Sequence, residues 1–169
     1  MNDSRIKLIR NCQWEEVFLL WYKNEGENPD WIKLAEEKGY DSWADWRLKD
    51  HANKFQCAKA QWGFYEIADA PAVVAGWHGG PFSTWIKKYY DGQQTRSFAE
   101  LAQRSDIRGL YKIKSLIKSY PREFVIIALE STDGRVTVIE GMHRCCALAA
   151  MAAEGMAFND KLIFAIGRI

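Results

Sequence analysis

The sequence is short of the residues that most metal sites need. Its 169 residues include three histidines and four cysteines, and no two cysteines form a CxxC pair. Structural zinc sites depend on such closely spaced cysteine and histidine ligands, so a zinc site is not expected. Adjacent Cys145 and Cys146 would fall on different faces of a helix. We therefore expect reduced, partly buried thiols in a cytoplasmic protein.

The sequence also lacks a large excess of charge and long apolar runs. It has 23 Lys and Arg against 22 Asp and Glu, a formal net charge of +1. This balance argues against a protein that is basic throughout, and it leaves a local basic patch open. No apolar leader and no run of membrane-spanning length occurs, so we expect a soluble protein without a membrane partner.

Tryptophan, in contrast, is abundant and unevenly placed. Six of the eight tryptophans lie at or before position 62. In the same half, four apolar residues recur at helical spacing: Trp14, Val17, Phe18 and Trp21. We expect residues 1–60 to form a helical extension whose aromatic side chains pack on the main domain. The alternative is an aromatic surface for a partner protein or for stacking bases.

Residues 61–169 alternate between strand and helix signals. The patterns predict strands at 64–67 and 72–75, helices at 81–90, 97–104 and 106–119, a hairpin of 124–130 with 135–139, a helix after Gly141 and a strand at 161–167. The predicted fold class is therefore α+β: a small mixed sheet with packed helices, preceded by the Trp-rich extension.

The most informative segment is residues 136–144, VTVIEGMHR. It is typical of a strand that breaks at Gly141 and turns directly into a helix beginning with His143 and Arg144. Free backbone N–H groups, the positive end of a helix dipole and two cationic side chains would then meet at one place. Such a place suits an anion, and a phosphate in particular.

A second set of polar residues lies on the predicted helix 106–119. On a helical wheel, Lys112, Ser115 and Ser119 share the face opposite the apolar residues, with Arg108 on the same side. One lysine and two hydroxyls in a row could bind phosphate oxygens. A solvated polar face is the ordinary alternative for any amphipathic helix.

These two segments together resemble the ParB/sulfiredoxin superfamily. Residues 112–119 (KIKSLIKS), a hairpin, and residues 140–144 (EGMHR) follow one another as in that family, and the similarity covers about 98–151. It implies a ParB/sulfiredoxin-like domain at 61–169 and a nucleotide, ATP or CTP, as ligand. The residues that match the family's phosphate contacts are Lys112, Ser115, Ser119, Gly141, His143 and Arg144.

One departure from the family limits the chemistry. Met142 occupies the position of the sulfiredoxin cysteine, and a thioether cannot act as the thiolate nucleophile. Sulfiredoxin activity is therefore not expected. The EGMHR turn is closer to the Asp-Gly-His-Thr-Arg turn of the free serine kinases, which implies a nucleotide-dependent phosphotransferase or hydrolase.

In that mechanism, Glu140 would hold Mg²⁺ or orient an attacking group, and His143 would donate to a phosphate oxygen. These two are the catalytic candidates, while Met142 joins the phosphate-binding turn. The structural alternative is that Glu140 only caps the helix and that His143 and Arg144 bond a neighbouring carboxylate.

Four other residues are weaker candidates. Glu66 and Asp69 lie where a kinase-like relative would place a catalytic acid, although Asp69 is also typical of an ordinary turn. His78, in a glycine-rich loop, could approach a ligand closely. His51 is expected at the surface.

Two other classes of function stay open. A DNA-associated protein is suggested by Arg104, Arg108 and Lys112 along one helix edge, although no helix-turn-helix module follows. The other class is a non-catalytic interaction module, with a vestigial site and a protein partner bound by the Trp-rich half.

Overall fold

The secondary structure of the chain is a mixture of six strands with many short helices. The computed structural model describes residues 3–169. Its strands are β1 (Ile6–Cys12), β2 (Gln61–Ile67), β3 (His78–Gly79), β4 (Ile126–Glu130), β5 (Val136–Glu140) and β6 (Leu162–Arg168). Its α-helices are α1 (Trp14–Glu25), α2 (Pro29–Glu37), α3 (Trp43–Trp46), α4 (Ala70–Ala75), α5 (Ser83–Lys88), α6 (Phe98–Gln103), α7 (Ser105–Arg108), α8 (Tyr111–Lys118) and α9 (Met142–Ala153). A π-helix spans Arg47–Ala52 and a 3₁₀ turn spans Cys57–Lys59.

The strands form one mixed sheet in the order β1-β2-β6-β4-β5-β3. Three neighbouring pairs are antiparallel, β1 with β2, β2 with β6 and β4 with β5. Strands β4 and β6 are parallel, as are β3 and β5. The structure therefore confirms a mixed fold in which helices pack on a small sheet.

Helices cover both faces of this sheet. Successive side chains of a strand point to opposite faces, so β4 sends Ile126 and Ala128 to one side and Ile127 and Leu129 to the other. The first pair belongs to the core formed with α4, α6, α8 and α9. The second pair packs with the Trp-rich residues of the first sixty. The sheet is thus the middle of three layers.

The aromatic side chains of the N-terminal half are packed inside the protein. Trp21 and Trp43 are each 1% exposed, and their rings meet edge to face at 5.8 Å. Val17 and Ala35 complete the same cluster against the sheet. Each buried aromatic ring removes a large apolar area from water, which stabilises this layer on the sheet.

Strand β1 was not among the predicted elements. It is one of the two edge strands of the sheet, and most of its side chains are exposed on both faces. Its sequence, IKLIRNC, therefore shows no clean alternation of apolar and polar residues. The prediction that residues 1–60 are purely helical was therefore wrong at its start. The edge pairing with β2 decides the structure there.

Two predictions within residues 61–169 need correction. Residues 72–75 belong to helix α4, with Pro71 in its first turn, and they are not a strand. The single helix predicted at 106–119 is broken into α7 and α8, because Leu110 has extended dihedrals after Gly109. The hairpin, the Ser97–Glu100 capping box, the α9 helix and the last strand are confirmed.

Among residues 3–169, no helix combines the length and the apolarity that crossing a bilayer requires.

Candidate functional site

The turn between β5 and α9 requires glycine. Gly141 has a φ of 102°, in the left-handed region, and it joins the strand to the helix with no other linker residue. A Cβ atom at this position would lie 3.0 Å from Cγ1 of Ile126 and 3.3 Å from Nη2 of Arg144. Only glycine accepts this conformation and this close approach without strain.

The amino terminus of α9 carries no side-chain cap. The amide of Cys145 donates to the carbonyl of Gly141 at 2.9 Å, the first turn of hydrogen bonding in the helix. The amides of residues 142–144 therefore have no acceptor within the helix. Twelve residues of aligned peptide dipoles add partial positive charge at this end. The helix start is built as the sequence predicts, and its backbone suits an anion.

His143 lies between two helices at this end. Its ring meets Trp85 of α5 at 5.2 Å, edge to face. Burial, with a further contribution from the Lys112 ammonium of α8, lowers the pKa of His143 from 6.5 to about 4. The imidazole is therefore neutral at pH 7 and offers one donor and one acceptor.

Two of the three predicted residues on the second helix share its solvent side. Lys112 and Ser115 are exposed on α8, opposite the fully buried Ile113. Ser119 lies beyond the last helical residue, with extended dihedrals (φ −147°, ψ 92°). Arg108 belongs to α7 and not to this face. The structure thus places Lys112 close enough to His143 to act on its pKa, and it leaves Ser119 off the helical row.

Glu140 and Arg144 form an ion pair inside the protein. They are 8% and 9% exposed, and Nη2 of Arg144 donates to Oε2 of Glu140. Asn24 of α1 donates to the same carboxylate at 3.1 Å, and Nη2 of Arg144 also reaches the carbonyl of Val125 at 3.4 Å. Burial, with a smaller contribution from Glu25, raises the pKa of Glu140, and Arg144 opposes the shift.

Because Glu140 and Arg144 bind each other inside the protein, their side chains do not act together with the His143 side chain. Nη1 of Arg144 is buried and has no partner within residues 3–169, and the Phe124 ring lies 5.6 Å from the guanidinium carbon. The same part of the chain contains no group of three or more His, Cys, Asp or Glu side chains placed to hold a metal ion.

Met142 is a core residue. It is 7% exposed, and a Cβ on Gly79 would lie 2.5 Å from its Cε atom. The Met142 side chain therefore packs against the glycine-rich segment, and only its backbone amide faces the helix terminus. The neighbouring Cys145 is fully buried, which raises the pKa of its thiol. Neither residue offers a reactive sulfur.

A second buried charge cluster was not predicted. Arg47, in the π-helix, is 5% exposed, and its guanidinium lies 4.1 Å from the Trp46 ring and within 5.6 Å of three other tryptophan rings. Nη2 of Arg47 donates to Glu25 at 2.7 Å. The charges of Glu25 and Glu140 both act on Arg47, so this cluster adjoins the Glu140–Arg144 pair. Its members come from separate segments, and no spacing in the sequence connects them.

His51 was wrongly expected at the surface. Its side chain is 14% exposed, and its ring meets Trp46 at 5.4 Å and Phe82 at 5.6 Å. Burial and the neighbouring Arg47 lower the pKa of His51 to about 4. His51 therefore belongs to the same Trp-rich layer as Arg47.

The remaining candidates lie elsewhere. Glu66 pairs with Lys161 at 2.7 Å. Asp69 precedes α4 with a left-handed φ of 50° and no side-chain capping hydrogen bond, and it pairs with Arg5 at 3.3 Å. His78 lines a cleft of about 370 Å³ together with Asp133 and Arg135.

A second cleft, of about 440 Å³, lies beside Trp14 and Leu48. No residue of α8 or α9 lines either cleft. The amino terminus of α9 therefore belongs to neither of these two clefts.

Comparison with known proteins does not assign the chain to a family. No protein-family model matches it, and neither a curated protein nor a solved structure matches it. The relation to the ParB/sulfiredoxin superfamily thus stays a prediction from the two motifs.

Proposed function

We propose that this chain binds the phosphate groups of a nucleotide, ATP or CTP, at the amino terminus of α9. One observation carries the proposal: α9 begins without a side-chain cap, and the neutral His143 in its first turn is close enough to Lys112 of α8 for the ammonium to lower its pKa. Backbone amides and a lysine at a helix amino terminus are a common way to bind phosphate. The order of the two motifs along the chain, which resembles the ParB/sulfiredoxin superfamily, supports the same ligand.

The contribution of each residue to phosphate binding follows from its position. The amides of residues 142–144 donate to phosphate oxygens, Lys112 neutralises their charge, and Ser115 adds a hydroxyl one turn further along α8. Met142 contributes its amide alone, because its side chain is buried. Ser119 contributes least, because it lies outside α8.

Phosphoryl transfer or nucleotide hydrolysis is the reaction that such a site would serve. His143, neutral at pH 7, can donate to a phosphate oxygen and accept a proton from an attacking group. Glu140 is held by Arg144 and Asn24, so we assign it the positioning of Arg144 and not a catalytic or Mg²⁺-binding role. Any Mg²⁺ would arrive with the nucleotide, coordinated by phosphate oxygens and water.

The two other classes of function receive less support. Arg104 pairs with Asp91 at 2.8 Å and with Asp106 at 2.9 Å, and Arg108 pairs with Glu154. Of the three cations on the predicted DNA-binding edge, Lys112 is therefore the one without an ion pair within residues 3–169. The tryptophans of the N-terminal half are mostly packed inward, which leaves little aromatic surface for a protein partner.

The test is a thermal unfolding experiment with 5 mM ATP, CTP or GTP and Mg²⁺. A ligand present at a hundred times its Kd adds about 2.7 kcal/mol to the free energy of unfolding. For a chain of this size, that corresponds to a rise in Tm of roughly 5 to 10 °C. Lys112→Ala and His143→Gln should each reduce this rise without lowering the Tm of the free protein by more than a few degrees.

The matched control is Lys23→Ala, which removes an exposed lysine from α1 in the Trp-rich layer. It should leave the ligand-dependent rise unchanged. No rise with any nucleotide, or an equal loss in the control variant, would refute the proposal.

A further inference from the structure

The positive charge of this nearly neutral chain is unevenly placed. Residues 83–90, which include α5, carry two lysines and no acidic residue. Residues 110–122, which include α8, carry three lysines and an arginine, again with no acidic residue. We name as the basic face the exposed side chains of these two helices: Lys87, Lys88, Tyr111, Lys112, Lys114 and Lys118.

The lysines of the basic face differ from most arginines of the chain. Arg5, Arg96 and Arg104 each lie within 4 Å of a carboxylate. Within residues 3–169, none of the five lysines of the basic face has a carboxylate oxygen within this distance. The local field of the basic face is therefore not cancelled by ion pairs, and it can attract a polyanion.

His143 is affected by a residue from each helix of the basic face. The Trp85 ring of α5 contacts the His143 ring, and Lys112 of α8 acts on its pKa. Helices α5 and α8 thus flank the amino terminus of α9, whose dipole and free amides add positive potential between them. Both helices of the basic face therefore have a residue close to the start of α9.

An exposed aromatic ring distinguishes the face from an ordinary solvated surface. Tyr111 is 87% exposed at the first position of α8. Lys114 and Lys118 follow it at helical spacing, and with Lys112 they occupy an arc of roughly 160° opposite Ile113. Aromatic rings among lysines are the usual platform for unpaired bases, where the ring stacks on a base and the ammonium groups follow the phosphates.

We propose that the basic face binds single-stranded nucleic acid. Duplex DNA is a poorer fit because its bases are stacked and cannot cover Tyr111. An anionic membrane is a poorer fit because the apolar residues of α8 face inward, and Ile113 is fully buried. The two proposed surfaces share Lys112, whereas Tyr111, Lys114 and Lys118 have no part in the nucleotide site, so this proposal does not rest on nucleotide binding.

The experiment measures fluorescence anisotropy of a labelled 20-nucleotide oligo(dT) at 50 to 200 mM NaCl. Contacts from five lysines predict a slope of log K against log salt of about −3.5, which is about a hundredfold loss of affinity over this range. The double variant Lys114→Ala/Lys118→Ala should reduce the slope by about 1.4. Tyr111→Ala should lower the affinity roughly five- to a hundredfold, the loss expected when a stacked base loses its ring.

The control is Lys7→Ala/Lys23→Ala, which removes the same charge from exposed positions of β1 and α1 and should bind like the unmodified protein. Equal weakening in this control would overturn the proposal. So would equal affinity for a 20-base-pair duplex, for anionic phosphatidylserine vesicles or for poly-glutamate.

One variant tests the two proposals independently. His143→Gln should lose the nucleotide-dependent rise in Tm and retain oligo(dT) binding. Loss of both activities in this variant would show that the basic face does not bind nucleic acid independently.

Discussion

The buried ion pair of Glu140 and Arg144 makes Arg144→Ala a test of folding as much as of binding. Within residues 3–169, the variant removes the one cation that pairs with the Glu140 carboxylate, which is 8% exposed. Breaking a buried pair from one side leaves an uncompensated charge, and this typically costs about 3 to 5 kcal/mol. Asn24 still donates to Glu140, so we expect a loss of about 3 kcal/mol at pH 7.

The loss should depend on pH in a defined direction. Burial raises the pKa of Glu140 in the folded protein, and removing Arg144 raises it further. At lower pH the folded variant takes up a proton on Glu140, and the uncompensated charge disappears. The difference in unfolding free energy between Arg144→Ala and the unmodified protein should therefore be smaller at pH 5 than at pH 7.

Urea unfolding followed by tryptophan fluorescence measures both quantities. Arg108→Ala is the matched control, because it breaks an exposed pair with Glu154 and should cost less than about 1 kcal/mol. Replacing both members of the buried pair, as in Glu140→Gln/Arg144→Met, should recover much of the stability. A loss below 1 kcal/mol for Arg144→Ala at pH 7 would refute the buried-pair reasoning.

Two further predictions concern the same turn. The folded-state pKa of His143 is lowered to about 4, so the unfolded chain binds the extra proton between pH 6.5 and 4, and this residue should lower the free energy of unfolding by up to about 3 kcal/mol as pH falls through this window. In urea denaturation, His143→Gln should make this part of the profile less steep, while His51, whose pKa is also lowered to about 4, keeps its own share of the fall. Gly141→Ala should lower the free energy of unfolding by about 1 to 3 kcal/mol because of the positive φ and the contact with Ile126. The loss should exceed that of Gly134→Ala, where φ is also positive but the surroundings are open. Equal losses of stability in thermal unfolding would contradict the assigned contact.

The candidate site shows which features a local sequence pattern can predict. The strand, the glycine and the helix at 136–153 were predicted from neighbouring residues, because the turn conformation and the apolar run are local properties. The direction of the charged side chains was not predictable in this way. Arg144 turns towards Glu140, Asn24 and the Val125 carbonyl, and Asn24 lies over a hundred residues away in the chain.

The second helix shows a limit of the helical wheel. The wheel placed Lys112 and Ser115 correctly on the exposed side, since both lie within α8. It failed for Arg108 and Ser119, because the chain leaves helical geometry at Leu110 and again after Lys118. A wheel assumes an unbroken helix, and one extended residue changes the direction of everything beyond it.

Local sequence patterns sufficed for the mixed α/β class, the hairpin and the uncapped start of α9, because period, capping and turn chemistry act between near neighbours. Tertiary contacts alone placed β1 at the sheet edge, buried His51 and Arg47 among the tryptophans and paired Glu140 with Arg144. The physical reason is that the burial and pairing of a charge depend on groups from distant segments, and a residue's own sequence neighbourhood does not contain them.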